Sequence, residues 1–250
     1  MLIARYRYKG RPAYGVVEGQ ALHPIDGDIF GDFRPAALAI PLTEVRLLAP
    51  VPPGKILGTA LNYPSHLGET PPPANPEFFL KPPSAVIGPE EAILLPPHAG
   101  RVDCEGELVA VIGRRCRGVS AGEALKYVFG YTCGNDVSAR HWQRDDLQWW
   151  RAKGSDTFCP IGPIIATGLD PANLELRTLV NGRVCQQTNT SQLIYSVARL
   201  ISFASQAMTL EAGDVIFSGT PGKTTPLSPG AVVEVEVEGI GVLRNPVRAG

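Results

Sequence analysis

The sequence predicts a mostly β protein with a few short helices, and three observations carry that expectation. Short runs rich in β-branched and aromatic residues recur along the 250 residues, each bounded by turn formers. Glycine and proline are abundant, at 27 and 24, and show no G-X-Y period, so they mark tight turns rather than a collagen helix. Strands and long helices do not alternate as a Rossmann or TIM architecture requires, and neither G-x-G-x-x-G nor G-x-x-x-x-G-K-[ST] occurs.

Composition narrows the class further. Lys and Arg number 23 and Asp and Glu 24, a formal net charge of −1, so no broad positive field exists to hold nucleic acid. Apolar residues make up 44%, enough to build a full core. The first twelve residues carry basic side chains without an apolar run. No stretch approaches the ~18 apolar residues of a membrane span, so no membrane partner is expected. The cysteines (Cys104, Cys116, Cys133, Cys159 and Cys185) are odd in number and never spaced C-x-x-C. They fit a reduced, cytoplasmic protein in which they serve as small buried hydrophobes.

Taken in order, residues 1–50 read as a small N-terminal β unit. Leu2–Tyr8 and 13–17 flank the break Lys9-Gly10-Arg11-Pro12, and Asp26-Gly27-Asp28 is a further turn. Pro50-Val51-Pro52-Pro53-Gly54 is the expected boundary to a domain spanning 51–250. A strand at 55–59 leads into Asn62-Tyr63-Pro64-Ser65-His66-Leu67-Gly68-Glu69, followed by Pro71-Pro72-Pro73 and Pro76. Such a segment cannot form a regular helix or central strand, so 64–78 is expected to be an ordered loop or lid. Residues 102–112 form the clearest central strand. Ser120 and Glu123 give a capping box before a short helix that includes Val128 and Phe129 and stops at Gly130. Apolar spacing at Ile194, Val197, Ala198, Ile201, Ala204 and Met208 predicts the longest helix over 190–208. Glu211-Ala212-Gly213-Asp214 then turns the chain into a strand at 215–218. The last strand, at Val232–Val237, alternates valine with Glu234, Glu236 and Glu238.

Three carboxylates, Asp103, Glu105 and Glu107, recur at spacing two and share one face of a strand whose continuation, Leu108-Val109-Ala110-Val111-Ile112, is apolar. Burying adjacent like charges is costly unless a cation compensates. An oxygen-liking ion such as Mg²⁺ or Mn²⁺ answers that need. The alternative is a solvated edge, and Glu234, Glu236 and Glu238 show the same period. A second polar cluster runs from Gly134 to Gln143. There Asp136 offers a third oxygen ligand, Arg140 a bidentate clamp for a carboxylate, and Gln143 a donor to a carbonyl or enolate oxygen. Each also suits a turn, cap or surface position. Lys153 lies beside the rigid stretch Gly154–Pro160. Next to a metal it would titrate low enough to transfer protons, and otherwise it is solvated. His66 and Glu69, three apart, would face one another on a helical turn as a carboxylate-oriented base. His23 and His98 suit surface roles, and no H-E-x-x-H occurs.

In order along residues 55–247, these stretches resemble the fumarylacetoacetate hydrolase family. The resemblance is carried by Asn62-Tyr63-Pro64-Ser65-His66, Phe79-Leu80-Lys81-Pro82-Pro83-Ser84, Asp103-Cys104-Glu105-Gly106-Glu107 and Asn135-Asp136-Val137-Ser138-Ala139-Arg140. It continues through Asp156-Thr157-Phe158-Cys159-Pro160-Ile161-Gly162-Pro163, Leu210-Glu211-Ala212-Gly213-Asp214 and Gly219-Thr220-Pro221. It implies a mixed β-roll, a homodimer or higher homo-oligomer, and Mg²⁺ or Mn²⁺ on Glu105, Glu107 and Asp136. By position it places the family lysine on Lys153 and substrate-oxygen contacts on Arg140, Gln143 and Thr220. In members that hydrolyse acylpyruvates, a lid histidine–glutamate pair activates water, and that pair falls on His66 and Glu69. Two departures stand out. His141 replaces the usual aspartate after the arginine, and the loop after Pro221 reads Gly222-Lys223-Thr224-Thr225-Pro226, with Lys223 facing either a distal carboxylate or solvent.

The implied chemistry begins with a small 2-oxo acid or dicarboxylate whose enolate the cation stabilises. Hydrolysis, decarboxylation and isomerisation share that enolate, so the metal ligands do not discriminate among them. Thr59-Ala60-Leu61-Asn62-Tyr63 and the ending from Gly239 to Val247 look most like the enzymes of homoprotocatechuate breakdown. Those isomerise 2-hydroxyhepta-2,4-diene-1,7-dioate and decarboxylate its carboxylated precursor, 5-carboxymethyl-2-oxo-hex-3-ene-1,7-dioate. Arg140 and Lys223 would be the spare cations for a dicarboxylate. The alternative is an acylpyruvate hydrolase or oxaloacetate decarboxylase using His66 and Glu69, and a remote one is a non-catalytic metal-binding member.

Overall fold

A strand covered on both faces has no solvent side, and Gly106–Ile112 is of that kind: all seven of its residues are buried. The computed structural model, which describes residues 1–250, places this strand inside a thirteen-stranded sheet between Val128–Asn135 and Val215–Phe217. On one side the sheet continues through Cys159–Ala166, Leu2–Tyr8, Arg11–Glu18 and Ala21–Gly27 to Phe33–Pro35. On the other it passes through Ile56–Ala60 to the edge strand Glu77–Lys81. Most neighbours are antiparallel, but Val215–Phe217 runs parallel to Ile56–Ala60, so the sheet is mixed. A five-stranded sheet built around Gly241–Ala249 and Val232–Val237 packs beside it. The fold is the expected mixed β-roll with few helices and a β-rich N-terminus.

The first fifty residues are stitched into this frame. Leu2 and Ile3 register with Ala166 and Ile165, and Tyr6, Leu22 and Ile40 share one apolar core with Leu108 and Ile201. All five cysteines are free, and only Cys185 is not fully buried. No helix is long and apolar enough to cross a membrane.

Three elements differ from expectation, each for a local reason. The strand at 102–112 breaks at Glu105 into Val102–Cys104 and Gly106–Ile112. The Glu105 N–H donates to Asn135 Oδ1 at 2.9 Å and its carbonyl accepts from the Asp136 N–H at 2.8 Å. The chain thereby leaves a three-stranded sheet, shared with Ser138–Ala139 and Thr225–Pro226, and enters the large one.

The helix after Ser120 is only Ala121–Ala124, with a 3₁₀ turn to Tyr127, and Val128 and Phe129 open a strand instead. The capping box does not close: Ser120 makes no side-chain cap bond, and Glu123 accepts from Lys126 Nζ at 2.6 Å. The long helix begins only at Val197, with Ser196 Oγ as its cap. Before it, the N–H groups of Ile194 and Tyr195 are held at 2.9 and 2.7 Å by the backbone oxygen and Oδ1 of Asn62. Those bonds hold 194–195 in a bend outside the helix.

Within 64–78, Pro64–Leu67 forms one helical turn with proline at its first position, and the rest is irregular up to Glu77.

Candidate metal and active site

The break at Glu105 builds the site. Strand pairing sets Gly106 opposite Asn135 and Glu107 opposite Gly134, so Glu105, Glu107 and the turn residue Asp136 converge. Each offers an oxygen within 4.8 Å of the others, and their residues are 3%, 1% and 1% exposed. Such a concentration of carboxylate demands cations. Lys153 Nζ donates to Glu105 Oε2 at 2.6 Å and to Asp136 Oδ2 at 2.5 Å, and Lys81 Nζ donates to Asp136 Oδ1. Arg140 donates to Glu105 Oε1 at 2.6 Å, to Asp103 Oδ2 at 2.9 Å and to Gln143 Oε1 at 2.8 Å. Asp103 also accepts a fork from Arg101 at 2.8 and 2.9 Å and a bond from Thr224 Oγ1 at 2.6 Å.

Glu107 is different: its hydrogen bond comes from the Gly219 N–H at 2.6 Å, with no lysine or arginine bonded to it. Gly219 reaches it through a φ of +101°, and a Cβ there would lie 2.8 Å from that of Asn62, so only glycine fits this turn.

These partners set the protonation pattern. Burial favours the neutral form of Glu105, but the charges of Lys153 and Arg140 outweigh it and hold the carboxyl well below its usual range. Burial pushes Glu107 well above that range, and the charges of Asp136 and Glu105 add to the effect. Without a metal, burial favours the neutral amine of Lys153, but Asp136 and Glu105 outweigh it and raise its pKa; the expected low titration applies beside a bound cation.

The donor set is oxygen-only, buried and anionic, with one carboxylate that no protein cation touches. Glu105, Glu107 and Asp136 therefore fit Mg²⁺ or Mn²⁺.

His66, Gln143, Lys153, Thr220, Glu105 and Glu107 line one small pocket of about 40 Å³. Thr220 Oγ1 donates to the Gly106 carbonyl at 3.0 Å and accepts from Gln186 Nε2 at 2.9 Å. Because Gln143 Oε1 accepts from Arg140, its amide NH₂ is left to donate. The lid turn reaches the site by close backbone contact: a Cβ on Gly222 would lie 1.8 Å from the Ser65 carbonyl oxygen.

The structure also places Glu69, Arg140 and Lys223. Glu69 is exposed beyond Gly68, whose φ of +59° ends the helical turn, and no hydrogen bond or ion pair joins it to His66. Arg140 commits three of its five N–H groups to Asp103, Glu105 and Gln143, so its charge already serves the buried carboxylates. Lys223 is exposed and does not line this pocket. His141, in place of the aspartate, leaves Arg140 no shorter of acceptors. Its ring lies over Gly100, where a Cβ would come within 2.3 Å of Nδ1.

Sequence reasoning missed Lys81, 2% exposed, and the keystone Asn62, whose Nδ2 donates to the Ser218 and Tyr195 carbonyls at 2.7 and 3.0 Å. Lys81 had a signal: it alternates in phase with Phe79, on the inward face of an edge strand whose outward Leu80 is 59% exposed.

Comparison with known proteins agrees with this architecture. The family model for the fumarylacetoacetate (FAA) hydrolase C-terminal region matches residues 55–248, and one described as Rv2993c-like, N-terminal matches residues 1–50. A 5-carboxymethyl-2-hydroxymuconate delta-isomerase structure from Mycobacterium smegmatis is 45% identical, with a TM-score of 0.95 and both chains covered completely. A 2-hydroxyhepta-2,4-diene-1,7-dioate isomerase from Mycobacterium marinum is 44% identical, with a TM-score of 0.94 over 100% of this chain and 98% of the other. Maleylpyruvate hydrolase from Sphingobium sp. SYK-6, solved with manganese(II) and pyruvate, is 32% identical, with a TM-score of 0.84 and full coverage of both chains. With the strand break, the three carboxylates and the lysine set in this same frame, the chain belongs to the fumarylacetoacetate hydrolase family.

Proposed function

We propose that the protein is a divalent-metal-dependent enzyme that isomerises or decarboxylates a small 2-oxo acid, or its 2-hydroxydiene form, through an enolate. The observation that carries this reading is the buried Glu105–Glu107–Asp136 cluster beside Lys153, opening onto Gln143 and His66. When bound there, Mg²⁺ or Mn²⁺ would supply positive charge for the substrate's carboxylate and for the 2-oxo oxygen that becomes negative in the enolate. The manganese and pyruvate bound to maleylpyruvate hydrolase support that choice of ion and ligand.

The chain's own groups supply the rest. Arg140 fixes Glu105 and Gln143 together, so that the Gln143 amide donates to a substrate oxygen. Lys153, bonded to both, holds Glu105 and Asp136 in place. His66, at the pocket wall, carries a proton to or from the carbon end of the enolate. Proton transfer is favoured over water activation because Glu69 is not paired with His66. The two mycobacterial isomerases point the same way. We also read the chain as a cytoplasmic homodimer or higher homo-oligomer, which light scattering on purified protein checks.

A second reading, hydrolysis of an acylpyruvate or decarboxylation of oxaloacetate, is supported by the maleylpyruvate hydrolase and requires Glu69 to swing onto His66. Metal-stripped protein with Mg²⁺ or Mn²⁺ added back, given 2-hydroxyhepta-2,4-diene-1,7-dioate, acetylpyruvate and oxaloacetate, separates the two. A metal-dependent shift of the diene absorbance, or loss of CO₂ from 5-carboxymethyl-2-oxo-hex-3-ene-1,7-dioate given alongside, with acetylpyruvate and oxaloacetate left intact, is expected. Pyruvate with acetate from acetylpyruvate as the sole product set would replace this reading by the second.

A further inference from the structure

Two of the five free cysteines meet beside the site. Cys104 ends the strand Val102–Cys104 and immediately precedes Glu105. Cys185 lies on Arg183–Asn189, in the five-stranded sheet. Both pack in one apolar cluster, and the two sulfurs are within hydrogen-bond reach of each other. Each also faces a carbonyl oxygen, Cys104 Sγ that of Thr225 at 3.5 Å and Cys185 Sγ that of Thr178 at 3.3 Å.

A break in strand pairing brings Cys185 to this place. Thr178 pairs with Gln186 and Leu179 with Val184, so Cys185 is the extra residue of a bulge. A bulge re-aims the side chain it carries. Val184, which unbroken alternation would set on the buried face with Gln186, is instead 50% exposed. Gln186 in turn grips the site. Its Oε1 accepts from the Gly106 N–H at 3.0 Å, and its Nε2 donates to Thr220 Oγ1 at 2.9 Å and to the Pro221 carbonyl at 3.0 Å. The two cysteines are thus chain neighbours of Glu105 and of Gln186.

Their access differs. Cys104 is fully buried, whereas Cys185 is only partly so. The hydrogen bond with Cys104 holds the Cys185 thiol below its usual range, against the opposing effect of burial, which favours the reactive thiolate.

We infer that Cys104 and Cys185 form a redox-modification site, closed to a disulfide by a peroxide and reopened by a thiol reductant, and that closure weakens the metal site through Glu105. The Cys185 thiolate attacks one peroxide oxygen and breaks the O–O bond, giving a sulfenic acid. The hydroxide that leaves takes up the proton Cys185 had lost and becomes water. The Cys104 sulfur then attacks the sulfenic sulfur, and its proton departs with the displaced hydroxyl as a second water. Two thiols are oxidised to one disulfide as the peroxide is reduced to water. A transient bond of this kind suits a reduced compartment. The covalent bond is shorter than the contact it replaces, so Cys104 is drawn toward Cys185. That pulls on Glu105, whose N–H and carbonyl are pinned to Asn135 and Asp136. The effect on the metal rests on Glu105 being a ligand.

The test treats metal-free protein with hydrogen peroxide, removes the oxidant, and combines non-reducing peptide mapping with calorimetric titration of Mn²⁺. A Cys104–Cys185 linked peptide is expected, with Cys116, Cys133 and Cys159 still thiols, and dithiothreitol should reverse it. The Kd for Mn²⁺ should rise about tenfold on oxidation and return on reduction. Cys185→Ser, treated alike, should form no link and keep its affinity.

Absence of the link in folded protein, or its appearance only after denaturation, overturns the site. A link with unchanged Mn²⁺ affinity, or an equal loss of affinity in Cys185→Ser, overturns the coupling to the metal. Reduced wild-type protein that binds no Mn²⁺ refutes the metal reading and the coupling with it, and the peptide map still decides the disulfide.

Discussion

Two stretches of this chain set acidic residues at alternate positions, and they end in opposite environments. In Val232–Val237 the intervening valines, Val233, Val235 and Val237, are each 1% exposed and fill the core. Glu234 and Glu236 therefore point outward, with side chains 28% and 37% exposed. Glu236 sits across from Arg177 and accepts from it at 2.7 Å, and Glu234 sits across from Arg244. This is an ordinary cross-strand charge ladder.

Between Asp103 and Glu107 the intervening residues are Cys104 and Gly106, too small to fill a core layer, and the strand beyond is buried on both faces. The acids have no outward side to take, so lysine and arginine must come inward to them. Spacing two fixes only that the acids share a face. The residues between them decide whether that face is solvent or site.

The contrast is broken most severely at Glu107. Glu107→Gln should weaken Mg²⁺ or Mn²⁺ binding more than ~100-fold, beyond the range seen for changes one shell out, and abolish turnover with the fold retained by circular dichroism. Lys153→Met comes next. It leaves Glu105 and Asp136 short of a buried cation, which costs about 3 kcal/mol in the metal-free protein by denaturant midpoint. Added Mg²⁺ should recover much of that loss, which a purely packing defect would not allow. Arg140→Lys keeps the charge but loses the fork joining Asp103, Glu105 and Gln143, and should lower metal affinity about 10- to 100-fold.

A smaller effect lies in pH. The raised pKa of Glu107 contributes stability that is complete below the ordinary carboxylate range and is lost as pH rises through the folded value. Glu105, held low, contributes the opposite, present above that range and lost as pH falls. In chelator, Glu107→Gln should therefore raise Tm over wild type more at pH 8 than at pH 5. An equal gain at both would mean that Glu107 does not titrate between them. Smallest is Glu236→Gln, expected to change stability by no more than ~0.5 kcal/mol and metal affinity not at all.

Much of this was legible in the sequence, because turn formers and period-two patterns act locally. The β-rich class and the final strand at Val232–Val237 are both there, whereas the grouping of Glu105 and Glu107 with Asp136 comes from the family resemblance, the pattern alone leaving a solvated edge open. What escaped depends on partners far along the chain. Asn62 binds the N–H groups of residues 194 and 195 in a bend, which delays the long helix to Val197. Lys81, 55 residues from Asp136, reaches it only because its edge strand turns that face inward. Arg140 looked free for substrate because nothing local shows that Asp103 and Glu105 both close on it. The expected His66–Glu69 pair assumed a continuous helical turn, and Gly68 ends that turn between them.

The most direct test titrates Mn²⁺ calorimetrically into metal-stripped wild-type protein, Glu107→Gln and Glu236→Gln at one pH. The account expects a single site per chain of matching affinity in wild type and Glu236→Gln, and binding more than ~100-fold weaker in Glu107→Gln. Unchanged affinity in Glu107→Gln, or loss of the site in Glu236→Gln, would contradict it.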